Sequence, residues 1–188
     1  MDEMLSQSLS VLKSVVESES LRRELREIAA ETGEALKRGN KILLCGNGGS
    51  AAEAQHIAAE LVGRFKRERK GLPAISLTTD TSILTALAND YSFDGVFARQ
   101  VEALGRDGDF LFLLTTSGNS KNCVLACETA KKRGIRTVAF TGSTGGKLKN
   151  MADRCFCVPS QVTAHIQESH LAVLHALCDR IEEEFSGR

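Results

Sequence analysis

The sequence predicts a doubly wound α/β domain: a parallel five-stranded sheet with an N-terminal helical pair and a long C-terminal helix. Two observations carry this. From residue 41 onward, five short and nearly unbroken apolar runs alternate with helical patterns, as strands covered on both faces require. Before residue 40 and after residue 163, apolar residues recur at helical spacing.

Leu5, Leu9, Leu12 and Val16 mark the first helix, and Leu21, Leu25, Ile28, Thr32 and Leu36 the second, which Gly39 ends as a C-terminal cap. The strands read as Lys41–Cys45, Ala74–Leu77, Phe110–Leu114, Thr137–Phe140 and Cys155–Val158. Thr163 to Phe185 is one long helix with Ile166, Val173, Leu174, Leu177, Ile181 and Phe185 as its apolar stripe. No repeat, low-complexity tract or linker interrupts the pattern, so residues 1–188 read as one domain, with 1–39 the helical pair and 40–188 the α/β core and terminal helix.

Lys plus Arg number 24 and Asp plus Glu 24, a balance that gives no hint of nucleic-acid or membrane partners. The basic run Arg64–Lys70 reads as a solvated loop after a helix. No apolar run approaches the roughly 20 residues of a membrane span, and the acidic start Met1-Asp2-Glu3-Met4 is unlike a signal sequence. Six cysteines scattered over strands and helices fit reduced thiols in a cytoplasmic protein. Cys155-Phe156-Cys157 reads as core packing, with its two sulfurs on opposite faces of a strand.

In such sheets ligands bind beyond the carboxyl ends of the strands, so the loops that follow each strand matter most. After the first strand comes Gly46-Asn47-Gly48-Gly49-Ser50, where glycines admit a ligand close to the backbone. Ser50 and Glu53 read as a capping box fixing the start of the next helix. The run lacks the third glycine of a dinucleotide fingerprint and the Lys of a P-loop. After the third strand comes Thr115-Thr116-Ser117-Gly118-Asn119-Ser120, four hydroxyls and a glycine opening a helix: a neutral donor set suited to a small phosphomonoester.

Of four histidines, His56 stands four residues before Glu60 on one helix face, a spacing that offers a divalent-metal pair or a carboxylate beside an imidazole. On the last helix, Gln167 and His175 lie about 80° apart around the axis and roughly 12 Å along it, so they converge on one ligand only by reaching toward each other or across subunits. His170 falls in line with Ile166 and Val173 and reads as a core or interface histidine.

At these residues the chain resembles a known family. Gly46–Ser50, Gln55-His56-x-x-x-Glu60-Leu61-x-Gly63-Arg64, Ala88-Asn89-Asp90, Thr115–Ser120 and Ile166-Gln167-Glu168-x-His170-x-x-x-x-His175 are similar to the signature of the sedoheptulose 7-phosphate (phosphoheptose) isomerases, single sugar-isomerase (SIS) domains. The resemblance implies an aldose–ketose isomerase converting D-sedoheptulose 7-phosphate to D-glycero-D-manno-heptose 7-phosphate, the first step of bacterial nucleotide-heptose synthesis for lipopolysaccharide core. It implies a homotetramer with active sites at subunit contacts and one zinc ion per subunit. Carried over by motif, the zinc ligands are His56, Glu60, Gln167 and His175. Substrate contacts come from Asn47, Gly48, Gly49, Ser50, Glu60, Asn89, Asp90, Thr115, Thr116, Ser117, Ser120 and Gln167, and the catalytic pair is Glu60 and His175. Ala164 and His165 depart from the Asp and Arg that other members carry. The competing reading is a non-catalytic SIS adaptor resembling the DnaA initiator-associating proteins, which can lack the carboxylate present here as Glu60.

Overall fold

The apolar runs form strands β1 (Ile42–Gly46), β2 (Ala74–Ser76), β3 (Phe110–Leu114), β4 (Arg136–Thr141) and β5 (Arg154–Cys157). In the computed structural model, which describes residues 1–186, all pairings are parallel and the order is β2-β1-β3-β4-β5. Helices α1 (Asp2–Glu17) and α2 (Glu19–Lys37) precede the sheet. Between strands come α3 (Gly49–Val62), α4 (Thr81–Asp90), α5 (Val96–Leu104), α6 (Lys121–Lys132) and the short α7 (Leu148–Met151), and α8 (Thr163–Phe185) closes the fold. Gly39 follows α2 with φ 86°, the left-handed stop expected there.

Strand alternation divides the core in two. Ile42, Leu44, Phe110, Phe112, Val138 and Phe140 face α2, α3 and α8, packing on Ile28, Ile57, Leu61, Leu174 and Ile181. Leu43, Cys45, Leu111, Leu113 and Ala139 face α5 and α6, packing on Phe97, Val101, Cys123 and Ala126. Burial on both faces explains why the strands read as unbroken apolar runs. The stripe on α1 behaves differently: Leu5 and Leu9 stay 64% and 68% exposed, and only Val15 is buried. No helix among the described residues is long and apolar enough to cross a membrane.

Two readings are corrected here. Residues i and i+2 of a strand share a face, so Cys155 and Cys157 point the same way, with Sγ atoms 3.6 Å apart. The basic run is also not simply solvated. The Arg67 guanidinium meets Asp179 at 2.6 Å, and the Arg69 side chain is 1% exposed, 3.3 Å from Glu182.

His170 is fully buried between α8 and the sheet, and its Nε2 donates to the Thr141 carbonyl at 3.2 Å. Burial pushes its pKa down to about 4, against the small upward pull of that bond. The unfolded chain takes up this proton near pH 6.5 and the folded chain only near pH 4. Unfolding is therefore favoured progressively as pH falls through that window, by about 3 kcal/mol in all. Urea unfolding across the same range checks this, and His170→Gln is expected to flatten the slope.

Candidate active site

The strand order reverses between β1 and β3: the chain leaves β1 toward β2 on one side, and β3 begins the run to β4 and β5 on the other. Loops after adjacent strands at such a point splay apart and leave a crevice. Here the loops are Asn47–Gly48 and Thr115–Ser120. A reciprocal amide pair bridges them, Asn47 Nδ2 donating to Asn122 Oδ1 at 2.9 Å and Asn122 Nδ2 to Asn47 Oδ1 at 2.8 Å.

Gly48, at φ 56°, is the residue from which α3 starts, and no side chain caps that end. The expected capping box is thus absent. Ser50 already lies inside the first turn, and Glu53 is turned inward. Burial pushes the Glu53 carboxyl up to about 7, partly offset by the Ser50 hydroxyl. A Cβ on Gly49 would stand 2.6 Å from Gln167 Nε2, so any side chain there displaces the Gln167 amide. That same Nε2 lies 3.5 Å from Ser50 Oγ.

In the second loop, Thr115 Oγ1 and Ser120 Oγ are 3.0 Å apart. Gly118 turns at φ 65° directly against the Gly145 carbonyl, where a side chain would collide. Thr116, Ser117 and Asn119 join Ser143, Thr144, Ser160 and Thr163 around a polar cavity of about 240 Å³. The second group escaped the sequence reading, although Gly142-Ser143-Thr144-Gly145-Gly146 after β4 carries the same glycine and hydroxyl signal as the other two loops.

The titratable groups come together where α8 passes α3. His56 Nε2 is 2.8 Å from His175 Nε2 and 3.3 Å from Glu60 Oε1. One donor atom from each of the three residues lies within 4.8 Å of the others. A tetrahedral ion with bonds of about 2.1 Å holds its donors about 3.4 Å apart, so this trio fits a divalent metal with little adjustment. Burial, then the neighbouring His56 and Lys66, holds the His175 pKa below the ordinary imidazole value against the pull of Glu60. A neutral imidazole is the form that binds metal or accepts a proton. The Phe65 ring stacks on His175, with centroids 5.2 Å apart and planes 17° from parallel.

Phe65 is itself held by Glu182, a residue absent from the sequence reading. The Glu182 carboxylate is 1% exposed and accepts three consecutive backbone N–H groups, from Phe65 (2.9 Å), Lys66 (2.7 Å) and Arg67 (2.8 Å). Burial raises its pKa, but these bonds and the Arg69 charge outweigh that and leave it low. Arg69 in turn donates to the Glu60 carbonyl at 2.8 Å, finishing the end of α3.

The remaining predicted residues are dispersed. Asn89 and Asp90 sit exposed at the end of α4, bonded to each other at 2.9 Å and, among the described residues, to none of the other predicted site residues. His165 is buried against α1, its Nδ1 2.9 Å from Ser8 Oγ.

The sequence profile of the SIS domain family matches residues 5–142. A phosphoheptose isomerase from Helicobacter pylori strain P12 is 52% identical over 186 residues, 99% of this chain and 95% of the relative. The chain belongs to the phosphoheptose isomerase family. A second phosphoheptose isomerase, from Akkermansia muciniphila, is 53% identical over 168 residues, 89% of each chain. The solved phosphoheptose isomerase of Neisseria gonorrhoeae superposes with a TM-score of 0.90 at 42% identity, covering 97% of this chain and 96% of its own. That of Francisella tularensis gives 0.93 at 38% identity, with the same coverage. Family membership accounts for the five-stranded parallel sheet, the leading helical pair and the long closing helix together.

Two outcomes follow from this geometry. Titration with Co(II) is expected to produce visible d–d bands of a low-coordinate site, which His56→Ala and Glu60→Gln abolish. Glu182→Ala is expected to lower unfolding free energy by about 3 kcal/mol and to expose the Arg64–Lys70 segment to trypsin, read by denaturant titration and peptide mapping.

Proposed function

We propose that this chain interconverts D-sedoheptulose 7-phosphate and D-glycero-D-manno-heptose 7-phosphate, with Glu60 and His175 as its proton-transfer pair. The single observation that carries the assignment is the convergence of Glu60, His56 and His175 from two helices on one face of the sheet.

Ketose–aldose conversion moves a proton between C1 and C2 through a cis-enediol, and it also moves protons on the two oxygens. A carboxylate and a neutral imidazole supply the acceptor and donor positions this needs. The phosphate is held by Thr115, Thr116, Ser117 and Ser120, whose hydroxyls and helix-start N–H groups offer donors without a bound cation. Asn47, Gly48, Gly49 and Ser50 line the opposite wall. Gln167, pinned between Gly49 and Ser50, orients toward the sugar. His56, Glu60 and His175 would hold zinc, and Gln167, which lies two turns away on α8 against Gly49 and Ser50, would join as a fourth ligand by turning its amide toward them. When bound, zinc polarises the carbonyl and stabilises negative charge on oxygen. Phe65 keeps the His175 ring oriented and excludes water from one face.

Asn89 and Asp90 reach the substrate in this reading only if another subunit completes the site. A homotetramer is supported by the exposed apolar stripe of α1 and by Tyr91 and Phe93, 74% and 56% exposed beside Asn89 and Asp90. The cytoplasm is the compartment that fits a biosynthetic isomerase with free cysteines.

Incubation with sedoheptulose 7-phosphate, followed by NMR with and without chelator, is expected to show an aldose product. Glu60→Gln and His175→Ala are each expected to lower turnover by about 10²- to 10⁴-fold while leaving the circular dichroism unchanged. Near-normal isomerisation by both variants would remove the assignment.

A further inference from the structure

Six thiols are present, and four of them, Cys45, Cys123, Cys127 and Cys178, are buried among core side chains. The other two stand on β5, the outermost strand of the sheet, and both are partly exposed. Cys155 Sγ and Cys157 Sγ are 3.6 Å apart, in van der Waals contact. The Thr141 hydroxyl lies 3.4 Å from Cys157 Sγ and 3.6 Å from Cys155 Sγ. Among the described residues no third His, Cys, Asp or Glu joins this pair, and two thiols alone do not complete the four-ligand set of a structural zinc site. The chemistry left to two touching, accessible thiols is oxidation to a bond between them.

We propose that Cys155 and Cys157 form a reversible dithiol–disulfide couple that exchanges with low-molecular-weight disulfides. Cys157 is the attacking group: its sulfur has the Thr141 hydroxyl at 3.4 Å and the Cys155 sulfur at 3.6 Å as polar neighbours, and Lys149 adds positive charge nearby. These effects, led by the Cys155 hydrogen bond, hold the Cys157 thiol below its usual range against burial, and the same bond raises Cys155. The Cys157 thiolate attacks one sulfur of the small disulfide, forming a mixed disulfide and releasing one thiolate, which takes up a proton. Cys155 then loses its proton and attacks the Cys157 sulfur, displacing the second thiolate. The protein loses two protons and two electrons, and the small disulfide leaves as two thiols.

The backbone permits the bond. Residues two apart on a strand have Cα atoms about 6.6 Å apart at a rise of 3.3 Å per residue, at the upper end of the range a disulfide spans, and the bond also needs Cβ atoms about 4 Å apart, so it forms only as β5 bends out of the extended conformation at Phe156. Closure draws β5 in slightly, and an outer strand with one paired edge yields more readily than an inner one. Cys157 pairs in register with Thr141, so the movement falls next to the β4 end that leads into Gly142 and Ser143.

The test uses the folded, reduced protein and oxidised glutathione. The expected result is an intact mass lower by two hydrogens, a peptide map joining Cys155 to Cys157, and full recovery on adding dithiothreitol. Cys155→Ser is expected to stop at a mass increase of one glutathionyl group on Cys157, and Cys157→Ser to form no internal bridge. Labelling with a thiol reagent before oxidation is expected to mark two cysteines fast and four slowly. Three results overturn the proposal: a bridge involving any buried cysteine, a mixed disulfide on Cys157 that persists in the unmutated chain, or no change in mass while the fold is intact.

Discussion

The register of α8 along α3 is the constraint on which the site depends. The two helices lie on the same face of the sheet, and their contacts advance together along both chains. Gln167 meets Gly49 and Ser50, His175 meets His56, and Glu182 meets the segment that follows α3. Apolar packing of Leu174, Leu177 and Ile181 supplies most of the attraction but is indifferent to small slips. Glu182 is not indifferent. A buried carboxylate must have its lone pairs satisfied, and three consecutive backbone N–H groups satisfy it at one position only. The imidazole of His175 then falls opposite His56 because Glu182, two turns further on, has already fixed the slide and rotation of the helix.

The sheet contributes a second level of placement. Because β1 and β3 are neighbours whose connections leave in opposite directions, the Gly48 turn and the Thr115–Ser120 turn open on one crevice. The paired amides of Asn47 and Asn122 tie the two turns together, so they hold their spacing without a ligand. Glycines lie where backbone must come close: Gly49 under the Gln167 amide, and Gly118 against Gly145. The face carrying α3 and α8 thus bears the titratable groups, while the strand ends bear the neutral hydroxyls. In the proposed reaction, proton transfer and anion binding then fall to different elements of one frame.

Much of this was legible in the sequence, for reasons of range. Strand runs and helical stripes are local patterns, and α8 spans Thr163–Phe185 as its stripe predicts. The loops after β1 and β3 carry their glycines and hydroxyls in a few consecutive residues. His56 and Glu60 are a turn apart on one helix. What was not legible joins distant segments. Glu182 carries no local signal, and only the fold reveals that Phe65, Lys66 and Arg67 point their N–H groups at it. Asn122 has no local signal. The capping box at Ser50 and Glu53 failed because α3 starts at Gly49, which leaves the Glu53 side chain facing inward rather than back to the cap. Cys155 and Cys157 were misplaced by a strand-parity error that the period of two corrects.

The adaptor reading fails on the cost of the cluster it would have to keep. Two imidazole nitrogens 2.8 Å apart with a carboxylate oxygen 3.3 Å away form a dense polar group. Such a group loses water contacts on assembly and repels itself if both rings are charged. A protein that only displayed a surface to a partner would gain nothing from it, and an apolar contact between α3 and α8 would hold the helices better. The arrangement suits a cation shared among the three donors. In the proposed reaction the same shared charge would face the substrate oxygens as the carbon-bound proton moves. The cluster is therefore a feature that the proposed isomerisation uses and a docking surface does not.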